Sequence, residues 1–163
     1  MIDLSAHSHF VFDLDRTVWD TYSKQGQPIW AKQLVPPLAL NDDGVIIDDV
    51  GSTCSLRQGI YEFLEALVRK KKTISFVSVG GIKDYPSECQ PSLMLLKLFD
   101  ILSFFNGHQY LLYRLDSKAD CMANFGMCVL FDDNEKTRDE VNVLGTVCAL
   151  RDSHEYPGDY YVG

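Results

Sequence analysis

The sequence predicts an α/β fold: a doubly wound, Rossmann-like, mostly parallel five-stranded sheet with helices on both faces and a small β-hairpin flap inserted early. Three observations carry this. Short apolar runs alternate with segments of helical period, the order that builds a parallel sheet. Two of those runs, Phe10-Val11-Phe12 and Met127 to Phe131, end in pairs of acids. The stretch between the first run and the first helix has turn chemistry instead of helical period.

His9 to Leu14 is the first strand, and it delivers Asp13 and Asp15, with Thr17 close behind. A strand buried on both faces wants apolar residues, and burying carboxylates costs several kcal/mol unless something compensates. The strand therefore ends near Asp13 and presents its acids at a sheet edge. Residues 20–51 hold Trp30, Pro28, Pro36-Pro37 and Asn41-Asp42-Asp43-Gly44 followed by Val45-Ile46-Ile47. Asp-Gly beside β-branched residues is a hairpin signal, so this stretch reads as a flap over the strand end within one domain spanning 1–163. Asp42, Asp43, Asp48 and Asp49 lack the ligand spacing of a calcium loop and read as solvated turns.

Leu56 to Lys70 is the first helix, with Ile60, Phe63, Leu64, Leu67 and Val68 at helical spacing. The basic run Arg69 to Lys72 complements its negative end. Thr73 to Ser78 is the second strand, followed by Val79-Gly80-Gly81. An irregular stretch with Pro86 and Pro91 leads to a helix over 92–99, and 108–114 is the third strand. Ser117-Lys118-Ala119-Asp120 resembles a capping box and starts a helix to about Phe125. Lys118 in its first turn opposes the helix dipole, and local inconsistencies of that kind gather at functional sites. Met127 to Phe131 is the fourth strand, running into Asp132-Asp133-Asn134. A helix over 134–144, ended by Gly145, leads to a fifth strand at 146–150, and the tail 151–163 carries no clear element.

The formal charge of −8 argues against a broad surface for nucleic acid or anionic lipid. Five cysteines, none in CxxC spacing, read as reduced thiols. No N-terminal segment pairs a basic region with a long apolar one, and no apolar run reaches the ~20 residues of a membrane span. The expectation is a soluble, cytoplasmic protein with no nucleic-acid or membrane partner, monomeric or dimeric.

In a parallel sheet, ligands sit beyond the carboxyl ends of the strands where strand order reverses. Asp13, Ser78 and Asp132/Asp133 all fall at such ends. Two acids on one strand and two on another suit a hard divalent cation, and magnesium fits a site shared with a phosphate. A lysine and a strand-end serine suit the anion itself, which points to phosphoryl chemistry.

Asp13-Leu14-Asp15-Arg16-Thr17, Ser78, Lys118 and Asp132-Asp133 occur in the order of the four motifs of the haloacid dehalogenase superfamily. Together with Trp19, Pro36-Pro37, Asp43-Gly44, Leu98-Phe99-Asp100, Phe131 to Asn134 and Leu144-Gly145, the chain resembles that superfamily's small capless magnesium-dependent phosphatases over roughly residues 9–150. The resemblance implies a phosphomonoesterase. Asp13 would be the nucleophile, forming an aspartyl-phosphate, and Asp15 the general acid and base. Ser78, with Val79 beside it, and Lys118 would bind the substrate phosphate. Mg²⁺ would be held by Asp13, Asp15, Asp133 and Asp132, with Asp133 the direct ligand from the fourth strand. Thr17 would support the loop. The implied substrate is a small phosphorylated molecule, of the sugar-phosphate or phosphotyrosine kind. The relatives carry Arg where this chain has Val79, and the stretch from Ser78 to Phe99 is longer here. Two other readings of the same residues are a non-catalytic phosphate-binding or scaffold module and a biosynthetic acyl-loading domain. Asp15 argues against the first, since a binder needs no general acid, and the chain's length against the second.

Overall fold

The computed structural model describes residues 1–113, 116–144, 147–151 and 160–163. In chain order the strands and α-helices are β1 (Ile2–Asp3), β2 (His9–Phe12), β3 (Trp19–Tyr22), β4 (Ala39–Leu40), β5 (Val45–Ile47), β6 (Thr53–Leu56), α1 (Ile60–Arg69), β7 (Thr73–Ser78), α2 (Pro91–Leu98), β8 (Gln109–Leu111), α3 (Lys118–Met122), β9 (Cys128–Asp132), α4 (Glu135–Asn142), β10 (Val147–Arg151) and β11 (Tyr160–Tyr161).

The main sheet runs β10-β9-β2-β7-β8, and every pairing in it is parallel. Its central strands β2, β7 and β9 are buried along nearly their whole length, which is why they read as unbroken apolar runs rather than alternating ones. Phe10, Phe12, Phe76, Val129 and Phe131 face one cluster, completed by Phe63 and Leu67 of α1 and Leu95 and Leu96 of α2. Val11, Val77 and Leu130 face the other, completed by Met122 of α3 and Val141 of α4. On the first face Phe12 and Phe131 stack at 4.8 Å between ring centroids, which locks β2 to β9. The chain leaves β2 toward β7 and β8, then returns to place β9 and β10 on β2's other side. Strand order therefore reverses between β2 and β9, and the acids after these two strands open into the same crevice.

The flap is larger than a hairpin. It is a four-stranded antiparallel sheet in the order β3-β6-β5-β4, so it reaches from Trp19 to Leu56. The predicted turn joins β4 to β5: Asn41 Oδ1 accepts from the N–H groups of Asp43 (3.0 Å) and Val45 (2.9 Å), and Gly44 takes φ 77°. Residues 53–56 belong to this sheet, and the first helix starts only at Ile60. Leu56 is paired with Trp19, and Gly59, in the left-handed region at φ 78°, turns the chain into α1. The helical spacing of α1 holds, but Leu56 falls outside it. Asp48 is buried, not solvated: its carboxylate accepts from the N–H groups of Val35 (2.9 Å), Val50 (3.0 Å) and Ser52 (2.7 Å). Burial pushes its pKa up, and these bonds outweigh that and hold it below the usual range.

Other boundaries move by a few residues. β2 stops at Phe12, α2 begins at Pro91, α3 ends at Met122, and Asp132 is the last residue of β9 rather than the first after it. The tail contributes β11, which pairs in parallel with β1, a long-range contact with no local signal. Lys72 of the basic run binds the carbonyls of Ser5 (2.9 Å) and His7 (2.7 Å) and so anchors the N-terminal segment. Arg114, Gly145, Thr146 and residues 152–159 lie outside the described residues. Cys54, Cys89 and Cys121 are free thiols. No helix among the described residues is long and apolar enough to cross a membrane.

Candidate active site

β2 ends when the Asp13 N–H donates to the Phe131 carbonyl (2.8 Å), which ties the first acid to β9. The chain then folds back on itself. The N–H groups of Thr17 (3.1 Å) and Val18 (2.8 Å) return to the Leu14 carbonyl, and Arg16 adopts φ 62°. Thr17 thus supports the loop through its backbone. This turn buries Asp15, whose Oδ1 accepts from Trp19 Nε1 (3.0 Å) and from the Ala31 N–H (3.1 Å). Both donors belong to the flap, so the flap fixes the orientation of the second acid.

Lys118 resolves the inconsistency seen at the start of α3. Ser117 caps that helix through its side chain, bonded to the Asp120 N–H at 3.3 Å. The Lys118 side chain is buried, 2.9 Å from Asp13 and 2.6 Å from Asp132. A lysine so placed is set by its two carboxylates, not by the helix dipole. Asp132 is held further by the Asn134 N–H (2.9 Å), and its carbonyl accepts from Arg138 (2.6 Å). Asp133, next along, is exposed.

Burial dominates the electrostatics. It pushes Asp13 up to about 7, with Lys118 opposing and Asp133 adding to the rise. It pushes Asp132 up to about 6, where the Asp13 charge adds and Lys118 opposes. The Asp133 carboxyl is partly desolvated beside Asp13 although the residue as a whole is exposed, and that desolvation and the Asp132 charge raise it. Asp15 is raised by burial, against the bonds from Trp19 and Ala31 and the charges of Arg16 and Lys118. Burial lowers Lys118, but Asp13 and Asp132 outweigh it and keep the ammonium charged. Asp13, Asp132 and Asp133 each bring an oxygen within 4.8 Å of the others. One ammonium cannot neutralise three such acids, and a divalent cation taking hard oxygen ligands fits the remainder.

Asp13, Asp15, Ser78, Val79, Lys118, Asp132 and Asp133, the residues singled out in the sequence, all line one cleft of about 120 Å³. Ser78 ends β7, and its carbonyl is pinned by the Leu112 N–H (2.7 Å). Gly80 lies so close behind it that a Cβ there would stand 3.0 Å from Ser92 Oγ and 3.4 Å from Ser78 Oγ. Trp30, Asn134 and Thr137 also line the cleft and escape the sequence reading. Asn134 and Thr137 had a local signal, since they sit at the cap and in the first turn of α4. Trp30 had none, being brought in by the flap.

An α/β fold whose crevice gathers acids, a buried lysine and a strand-end serine has the build of a haloacid dehalogenase-type phosphatase. The model of the Acid Phosphatase family matches residues 7–153, and the chain belongs to that family, which is of this type. Membership supports phosphatase activity and a small phosphorylated substrate. No curated protein matches the chain.

Proposed function

We propose that the protein is a magnesium-dependent phosphomonoesterase working through an aspartyl-phosphate on Asp13, built on a doubly wound sheet of the haloacid dehalogenase type. The observation that carries this is Asp13 itself: its carboxylate lies 2.9 Å from the Lys118 ammonium and shares a cluster with Asp133 and Asp132. Asp15 follows two residues later under separate control.

An Asp13 oxygen attacks phosphorus as the bond to the leaving oxygen breaks, and Asp15 gives that oxygen its proton. In the second half Asp15 takes a proton from water, the water oxygen bonds to phosphorus, and the Asp13 carboxylate is released. The Ser78 hydroxyl and Lys118 hold phosphoryl oxygens, with Val79 alongside. Asp13 and Asp133 would hold Mg²⁺ through their side chains, with the Asp15 carbonyl contributing and Asp132 supporting from behind through Lys118. Bound there, the cation would neutralise phosphate charge and keep Asp13 ionised at neutral pH.

An aryl phosphate assay with magnesium, with EDTA and with Asp13→Asn tests this. Turnover should require the metal and vanish in the variant. Undiminished turnover in Asp13→Asn would sink the nucleophile assignment.

A further inference from the structure

Two buried side-chain oxygens find no hydrogen-bond partner among the described residues: Thr17 Oγ1, in the acid-bearing loop, and Ser92 Oγ. Ser92 is fully buried and sits in the first turn of α2, directly after Pro91. A hydroxyl taken out of water without a partner loses its hydration and regains nothing. Alanine would fill the same place without that loss, so packing alone does not account for the oxygen.

Its surroundings give the oxygen a use. The three heavy atoms nearest the point where a Gly80 Cβ would stand are all side-chain oxygens: Ser92 Oγ at 3.0 Å, Ser78 Oγ at 3.4 Å and Asp15 Oδ2 at 3.9 Å. Trp19 and Ala31 hold the other Asp15 oxygen, Oδ1. The approach of the two serines is fixed from both sides. The Gly81 N–H donates to the Leu112 carbonyl (3.1 Å) and the Leu112 N–H to the Ser78 carbonyl (2.7 Å), which ties residues 78–81 to the chain at the end of β8. Gln90, two residues before Ser92, closes off the long stretch after Ser78. Its Oε1 accepts from the Ile82 N–H (2.8 Å), and its Nε2 donates to the carbonyls of Ile82 (2.8 Å) and Tyr85 (3.1 Å). Residues 83–89 are exposed, outside that tie, so the added length leaves Ser92 against Gly80.

We propose that Ser92 is a positioning residue for the Ser78 hydroxyl: when phosphate is bound, the Ser92 O–H donates to Ser78 Oγ across the space that Gly80 leaves open. The inference rests on the phosphatase reading and deepens it. A serine hydroxyl has one proton and turns to suit its neighbours. Asp15 Oδ2 competes with a phosphoryl oxygen for the Ser78 proton. A donor on the Ser78 oxygen takes up one of the directions that proton could adopt, and it polarises the O–H toward the phosphoryl oxygen. A rotamer change at either serine brings the two oxygens together. A side chain at Gly80 would stand between them, so the glycine belongs to the same arrangement.

The test compares Ser92→Ala with the unsubstituted protein by calorimetric titration with inorganic phosphate in magnesium, by turnover of an aryl phosphate, and by Tm. Phosphate affinity and kcat/KM should each fall about three- to tenfold, the scale of one hydrogen bond. Tm should stay level or rise, because a buried hydroxyl without a partner has gone. In a Ser78→Ala background the same substitution should change phosphate affinity by less than about twofold, since Ser92 then has nothing to position. Unchanged affinity in Ser92→Ala, or a full effect that persists without the Ser78 hydroxyl, overturns the proposal. So does a loss confined to turnover with phosphate affinity kept, which would put Ser92 on Asp15 instead. A fall in Tm that accompanies the loss also overturns it and makes Ser92 a packing residue. If the unsubstituted protein binds phosphate but hydrolyses nothing, the phosphatase reading falls, and the affinities in the two backgrounds decide the role of Ser92. A protein that binds no phosphate overturns both.

Discussion

Lys118 Nζ and the Asp132 carboxylate meet at 2.6 Å, with Asp132 fully buried and the same ammonium reaching Asp13 at 2.9 Å. The lysine comes from the start of α3 and its partners from β9 and the end of β2, so one side chain joins three parts of the chain. Lys118→Met leaves two buried acids without their cation. The expected loss of stability is roughly 3–5 kcal/mol, the usual cost of breaking a buried pair from one side. Denaturant titration at pH 8 in EDTA measures it. The loss should shrink at pH 5.5, where Asp13 and Asp132, raised to about 7 and about 6, are mostly protonated. A loss that does not vary with pH would mean that packing, not charge, sets the cost.

The same raised acids give the metal-free protein a pH dependence. Their folded pKa values lie above the unfolded value of 3.8, so the folded state binds more protons than the unfolded one in between. Stability then falls as pH rises through that window, because unfolding releases protons the folded state had kept. Asp48, whose pKa is lowered, acts in the opposite sense and only in more acid solution. Between pH 5 and 8, Tm in EDTA should therefore drop with rising pH. Magnesium should flatten or reverse that slope by taking the place of the protons. Calorimetry with and without the metal checks both, and a flat profile in EDTA contradicts the electrostatics described for Asp13.

What the sequence made legible follows from how local each signal is. Asp13 and Asp132/Asp133 stand out because carboxylates after apolar runs are costly unless used, and that cost is visible along the chain. Lys118 showed itself as a misfit at a helix start. The flap's size did not show, because Thr53-Cys54-Ser55-Leu56 abuts a helix and its strand character comes from pairing with Trp19 to Tyr22 on one side and Val45 to Ile47 on the other. Trp30, and the Trp19 and Ala31 bonds to Asp15, were hidden for the same reason: each depends on where the flap lands. β11 depends on a partner at the opposite end of the chain.

The flap's hold on Asp15 has a kinetic consequence. The Trp19 Nε1–H bond favours the ionised carboxylate, so Trp19→Phe removes one of the interactions that oppose the rise caused by burial. The Asp15 pKa should climb further, and the limb of the pH–rate profile that Asp15 controls should move to higher pH. Phenyl esters with good leaving groups, which need little proton donation, should lose less rate than alkyl esters. Full pH profiles for an aryl and an alkyl phosphate distinguish this from a general loss of fold, which would lower both rates equally and leave the limb in place.

Asp48 tests whether a flap acid serves structure or metal. Its carboxylate satisfies the N–H groups of Val35, Val50 and Ser52, and it stands outside the Asp13, Asp132 and Asp133 cluster. Asp48→Ala strands those donors where water reaches poorly, at about 1–3 kcal/mol for each that stays buried and unbonded. Asp48→Asn keeps one carbonyl oxygen and should lose less. Magnesium affinity, read by isothermal calorimetry on the folded variants, should not change, because the ligand cluster is untouched. Weakened magnesium binding in Asp48→Asn would assign this acid to the metal and remove the turn as the reason for its burial.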